Sequence, residues 1–230
     1  MLFLFSTLGT ILIPVLMIVF LLWILGMYFK AVIYGDSVRV TSHQYPEIHS
    51  IVISQSQSLE LTNIPDVFIY NGNGIINAFA IRFVSSKYVV LMSNLVDLMV
   101  LREKKNELAM IIGHELGHYA AGHTSLFRNI LILPAKFIPF LGAAYSRSCE
   151  LTADRIGFAV TNDATASKNA LVTIALGSQG LANNTNIEEF VQQENQIPEF
   201  MGFIHKIFST HPRMTKRIIE LNEFQKSNPL

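Results

Sequence analysis

The run from Leu2 to Phe29 contains no charged residue and no histidine, and a stretch of that kind has few ways to fold. In a bilayer every backbone polar group must be satisfied internally, which favours a helix. At 1.5 Å per residue such a helix is about 42 Å long, against a hydrocarbon core of about 30 Å. One tilted span fits, and two do not, because each needs about 20 residues. Pro14 is placed to kink it, and Trp23, Tyr28, Phe29 and Lys30 have the composition of an interfacial end. A cleaved leader is disfavoured, since the basic start and the small-residue cleavage site are missing. The chain thus divides into an anchor, 1–30, and a remainder, 31–230, long enough for one domain with a real core.

No Lys or Arg precedes the span, whereas Lys30 and Arg39 follow it, so the positive-inside rule predicts a single-pass protein of the cell's inner (cytoplasmic) membrane with its domain in the cytoplasm. The lone Cys149 agrees, because a cytosolic domain needs no disulfides. On that topology the sequon Asn183-Asn184-Thr185 is unused. With 17 basic and 17 acidic side chains there is no electrostatic footprint for nucleic acid. The partner expected from the apolar span is the lipid bilayer.

Within the domain, His114-Glu115-Leu116-Gly117-His118 is the feature with chemical content. Residues four apart on a helix fall about 40° from overlap, so both histidines can aim a ring nitrogen at one ion. Glu115 is rotated by a residue step and can reach water beside that ion without ligating it. Chance yields this pattern in roughly one chain in a hundred of this length, so context decides. Glu103 to Gly122 has no proline, and Leu108, Ile111, Ile112, Glu115 and Tyr119 recur at helical spacing. The charged start, Arg102-Glu103-Lys104-Lys105, reads as a solvated end. Gly113 and Gly117 each cost the helix about 1 kcal/mol relative to alanine, which suggests close approach of another backbone or of a substrate.

A catalytic zinc requires a third protein ligand and an open position. The arrangement H-E-x-x-H-x-x-G-x-x-H is broken by Ala121 and Thr124, with His123 one position early; His123 reads instead as a helix-terminal or packing residue. Downstream, Ser148 to Arg155 reads as a helix on which Glu150 and Asp154 share a face. Glu150 suits the third ligand and Asp154 suits an acceptor for a ligand histidine's N–H. Cys149 lies about 100° around that helix and packs as a small hydrophobe.

Val67–Tyr70, Asn77–Val84 and Lys87–Met92 are rich in β-formers and separated by Asn71-Gly72-Asn73-Gly74 and Ser85-Ser86, which predicts a small antiparallel sheet with a hairpin turn at the first of these. Ala164–Gly180 and Ile187–Phe208, broken near Pro198, predict further helices. The fold class is therefore α+β and mostly helical, with one preceding transmembrane helix.

Four motifs in order, Asn77-Ala78-Phe79-Ala80, His114-Glu115-Leu116-Gly117-His118, Glu150-Leu151-Thr152-Ala153-Asp154 and His211-Pro212-Arg213, resemble the set found in the membrane-bound zinc metallopeptidases that include HtpX and the CAAX prenyl protease. The resemblance covers roughly residues 40 to 225. It implies a gluzincin-like domain over 31–230, one Zn²⁺ per chain held by His114, His118 and Glu150, Glu115 as general base, and Asp154 orienting a histidine. It further implies that Asn77 and Ala78 lie on an edge strand that pairs with extended substrate, and that His211 supports the oxyanion. Damaged or misfolded membrane proteins become the expected substrates, by similarity to HtpX. The competing class is a non-proteolytic, membrane-tethered zinc scaffold or chaperone, against which Glu115 argues, since metal binding alone needs no carboxylate there.

One segment departs from the HtpX pattern. Residues 126–145 are hydrophobic, but the interval from His118 to Glu150 is too short for two spans with their connections, and Arg128, Lys136, Pro134 and Pro139 interrupt it. Two readings remain open: a membrane-dipping insertion beside the site, or a connection buried in the domain.

Overall fold

The computed structural model describes residues 2–83, 86–100 and 104–228. Val84 and Ser85 of the sheet segments, and Arg102 and Glu103 of the charged run, lie outside the described residues. The chain forms two compact units that divide after Val38. The first is α1 (Leu2–Asp36), with Pro14 inside it, which leads into the short strand β1 (Ser37–Arg39). Its segment Leu12–Asp36 contains a window of mean hydropathy 2.6 in which no residue is buried, and is long and apolar enough to cross a membrane. The helix continues past the expected boundary at residue 30, through Lys30 to Asp36.

The second unit opens with α2 (Pro46–Ser58) and the strands β2 (Asp66–Tyr70), β3 (Ala78–Phe83) and β4 (Ser86–Met92). Next come α3 (Ser93–Val100), α4 (Lys105–Ala120), the short α5 (Leu126–Leu131) and α6 (Leu133–Lys136), and the long α7 (Pro139–Thr161). The chain closes with α8 (Ala164–Leu176), α9 (Gln179–Ala182), α10 (Ile187–Gln192), a 3₁₀ turn (Gln193–Gln196), α11 (Glu199–Phe208) and α12 (Met214–Ser227).

The sheet is present but mixed, which corrects the antiparallel expectation. β4 lies between β2 and β3, parallel to β2 (Asp66 opposite Tyr88, Tyr70 opposite Met92) and antiparallel to β3 (Ala78 opposite Leu91, Phe83 opposite Ser86). Asn71–Gly74 is accordingly not a hairpin turn between neighbours. It begins a connection that carries the chain past β4, and the Ser93 hydroxyl and Asn94 side chain at the start of α3 accept the N–H groups of Gly72 (3.3 Å) and Gly74 (3.0 Å). A central strand is covered on both faces, and Tyr88, Val89, Val90 and Leu91 are all buried. β3 is left at the sheet's edge.

α4 runs through the centre of the unit, with Leu108, Met110, Ile112 and Leu116 buried against Leu95, Phe158, Leu171 and Ile218. Two contacts fix it. The Tyr119 hydroxyl lies 2.7 Å from the Ile81 carbonyl and 2.6 Å from the Tyr88 carbonyl, tying the helix to β3 and β4. On its opposite side α4 crosses α7 at close range: a Cβ on Gly113 would stand 3.0 Å from the Gly157 Cα, and one on Gly157 would stand 2.8 Å from the His114 nitrogen. The glycines in α4 therefore admit another backbone, and this crossing is what sets Glu150 and Asp154 opposite His114 and His118.

Candidate metal centre

Two helices converge on one point. His114 and His118 come from successive turns of α4, and Glu150 faces them from α7. The Nε2 atoms of His114 and His118 are 3.2 Å apart, and Glu150 carboxylate oxygens lie 3.7 Å from His114 Nε2 and 3.5 Å from His118 Nε2. Together these three residues form a group of donors that can hold one metal ion. The spacing suits zinc, because donors about 2.0–2.1 Å from a tetrahedral ion stand about 3.3–3.4 Å from one another.

The other ring nitrogens support the same conclusion. His114 Nδ1 lies 2.8 Å from Asp154 Oδ1, and His118 Nδ1 lies 3.0 Å from His123 Nδ1. If each Nδ1 carries its proton toward that partner, both Nε2 lone pairs point at a common centre, an arrangement that repels unless a cation occupies it. Burial pushes the His118 ring down to about 4, helped by the neighbouring His114, so it is neutral and able to donate. For His114, burial also works against the charged ring, but the hydrogen bond and negative charge of Asp154 outweigh it and raise its basicity.

Asp154 is only 1% exposed and is held from its far side by α12. Arg217 Nη2 donates to Oδ1 at 2.5 Å and Nε to Oδ2 at 2.7 Å, a two-pronged ion pair. Burial would raise the Asp154 carboxyl, but the Arg217 guanidinium and its hydrogen bonds hold it well below the usual carboxylate range. Nothing in the sequence pointed to Arg217, which is one of three basic residues, with Lys216 and Lys226, on a mostly polar helix.

His123 is helix-terminal and packs on His118, as its position suggested, but its hydrogen bond to a donor ring was not foreseen. α4 is closed just beyond its C-cap Ala121 by Gly122, whose φ of +70° is the left-handed conformation glycine adopts cheaply. The N–H of Gly122 bonds the Tyr119 carbonyl and that of His123 bonds the His118 carbonyl, a Schellman ending. In that ending the residue after the glycine folds back over the residue five before it, which here sets His123 on His118. The -Ala-Gly-His- helix end was the available signal.

Glu115 is buried beside the donors and faces β3, where the Ala80 backbone hydrogen-bonds its carboxylate. Burial raises its carboxyl to about 7; His114 opposes the shift and Glu150 adds to it. The carboxylate is therefore poised as a proton acceptor near neutral pH. His211 lies in the turn before α12, with Nδ1 3.3 Å from a Glu150 oxygen and its side chain 70% exposed. Asn77 stands at the head of β3. Its carbonyl accepts the Met92 N–H at 3.0 Å and its side-chain oxygen accepts the Ala78 N–H at 2.9 Å. Cys149 is buried, and burial pushes its thiol up, as suits a packed side chain.

These groups line one open cleft of about 570 Å³. Asn77, Ala78, Phe79 and Ala80 form one wall along the free edge of β3, and His123 and His211 line the cleft with the donors His114, His118 and Glu150. Beyond Glu115 the wall turns apolar, through Ile111, Ala170, Leu171 and Ile174. An extended chain laid along β3 would pass the donors and set a side chain against that apolar wall.

Comparison with known proteins gives the family and the fold. The sequence model of peptidase family M48 matches residues 42–133 and 125–225. A plant protein, the plastoglobule-localized metallopeptidase 48 of Arabidopsis thaliana, is 26% identical over 84% of the chain and 61% of its own length. A protease HtpX homolog of Fusobacterium nucleatum is 26% identical over 84% of the chain and 73% of its own length. Among solved structures, S. mikatae Ste24p superposes with a TM-score of 0.52 at 16% identity, covering 91% of this chain and 58% of that one, which is a likeness of fold. The chain spans about three fifths of the plant relative and of Ste24p.

Proposed function

Since the chain belongs to peptidase family M48, we propose that it is a membrane-anchored zinc endopeptidase in which His114, His118 and Glu150 hold one Zn²⁺ and Glu115 moves the protons. The observation that carries the proposal is the set of three donors 3.2–3.7 Å apart with a buried carboxylate beside them. Bound there, zinc supplies Lewis acidity toward a peptide carbonyl and toward water. Glu115 accepts the proton of the attacking water and passes it to the leaving amine, a cycle suited to a carboxyl raised to about 7. Asp154 fixes the His114 tautomer and Arg217 keeps Asp154 ionised. His211, exposed at the cleft, swings toward the scissile carbonyl and stabilises its developing charge.

Substrate is taken as an extended strand. The free edge of β3 offers backbone groups that bind any sequence, which suits a protease that clears damaged or misfolded membrane proteins. Lys30 and Arg39, which follow the span, support a cytoplasmic orientation of the domain at the inner membrane. The test is hydrolysis of unfolded casein by the purified chain: activity should vanish with a chelator and return with zinc. Metal-independent hydrolysis, or none by the zinc-loaded chain, would overturn the assignment.

A further inference from the structure

Two segments distant in sequence flank the cleft, and both present large apolar side chains to solvent. The first is α5–α6 with the start of α7, directly after Thr124 of the cleft wall; Phe127, Ile130, Leu131 and Phe137 are exposed there, Phe137 by 81%. The second is α11, which ends three residues before His211 and exposes Phe200, Phe203 and Phe208. Arg147 on α7 donates to the Ser209 carbonyl at 2.7 Å and so joins the two. A buried connection, one of the two readings of residues 126–145, is ruled out: of its apolar side chains described, most are exposed.

Charge indicates what covers this surface. No Asp or Glu occurs between Glu115 and Glu150, whereas Arg128, Lys136 and Arg147 do, and α11 carries Glu199 in its first turn and His205 and Lys206 in its last, the end nearer the cleft. Arg128 is drawn back onto the domain, donating to the Ala121 carbonyl and lying over the Tyr145 ring, so positive charge sits at the base of the apolar protrusion. Bulky apolar tips above a basic rim match the layering of an anionic bilayer, with acyl chains beneath phosphate headgroups. A chain that carries a candidate span meets such a surface.

We propose that α5–α6 and α11 form a second membrane-contacting surface, separate from α1, which inserts its aromatic and aliphatic tips among the acyl chains of an anionic leaflet. The cleft mouth, between His123 and His211, then opens at the headgroup level. Substrates that reach it are segments of membrane proteins at or just outside the interface. The surface concerns lipid contact and is independent of whether the cleft hydrolyses peptides.

Trp23 is the chain's single tryptophan, so the full-length Trp23→Phe protein accepts single reporters: Phe137→Trp, Phe203→Trp and, as a solvent-facing control on α2, Gln57→Trp. Each is reconstituted in phosphatidylcholine vesicles, with and without phosphatidylglycerol, whose acyl chains carry bromine. The expected result is emission at 137 and 203 reduced by about half or more relative to unbrominated vesicles, with stronger quenching when phosphatidylglycerol is present, and no change at 57. Reporters at 137 and 203 that ignore bromine but are quenched by aqueous iodide would overturn the proposal in favour of an open surface. Reporters that ignore both would overturn it in favour of a protein partner, and quenching independent of phosphatidylglycerol would remove the anionic headgroup from it.

Discussion

Replacing Arg217 by methionine should unfold the domain more readily than any loss of packing explains. Arg217 is buried, and its two donors lie 2.5 and 2.7 Å from the carboxylate oxygens of Asp154, which is 1% exposed. Methionine fills much of the same volume but leaves Asp154 buried with only His114 as partner. Stranding one half of a buried ion pair costs about 3–5 kcal/mol, and two charge-assisted hydrogen bonds at about 1.5–3 kcal/mol each give the same range. Asp154→Asn combined with Arg217→Met removes both charges and should recover most of the loss. The sign with pH is fixed by the direction of the Asp154 shift. Its folded pKa is lowered, so its contribution is present above the unfolded value of about 4 and is lost as pH falls below it. The single variant should lose that acid dependence. The assay is urea unfolding of the detergent-solubilised, metal-free protein followed by near-UV dichroism, at neutral pH and in acid. An Arg217→Met protein within about 1 kcal/mol of wild type, or a double variant no more stable than the single, would refute the reasoning.

Three further outcomes are expected. Glu150→Ala should lower zinc occupancy sharply while Cys149→Ser leaves it nearly unchanged; metal analysis showing the reverse would replace the third ligand. His123→Ala should weaken zinc binding about 10- to 100-fold, because His118 loses the partner of its Nδ1, and a chelator competition that gives wild-type affinity would return His123 to a packing role. Asn77→Ala should lower kcat/KM on several unrelated peptides about tenfold with zinc retained, corresponding to about 1–2 kcal/mol. Unchanged efficiency would leave Asn77 as the residue that caps β3.

What the sequence made legible was local. The spacing of His114 and His118 acts within one helix, and so does that of Glu150 and Asp154, so helical geometry alone could pair them, and the structure brings the two sets face to face. Gly113 and Gly117 signalled a close approach, and the approaching backbone is α7. Arg217 was hidden because its meaning depends on a partner 63 positions away. The sheet order was hidden for a related reason: three strands in succession suggest hairpins, whereas β4 lies between β2 and β3 and the Asn71–Gly74 connection is held by Ser93 and Asn94, about 20 positions on. Residues 126–145 show a further limit, because apolar composition does not distinguish a side chain facing a core from one facing outward.

The central claim is that Glu115 acts on the reacting proton while the donors around it hold the ion. Glu115→Gln preserves the shape of the side chain and removes its ability to accept a proton. Zinc content and peptide hydrolysis, measured on one preparation of this variant, test the claim directly. The expected result is one zinc per chain, as in wild type, with hydrolysis reduced by about 10²- to 10⁴-fold. Hydrolysis at the wild-type rate by the zinc-loaded variant would contradict the account.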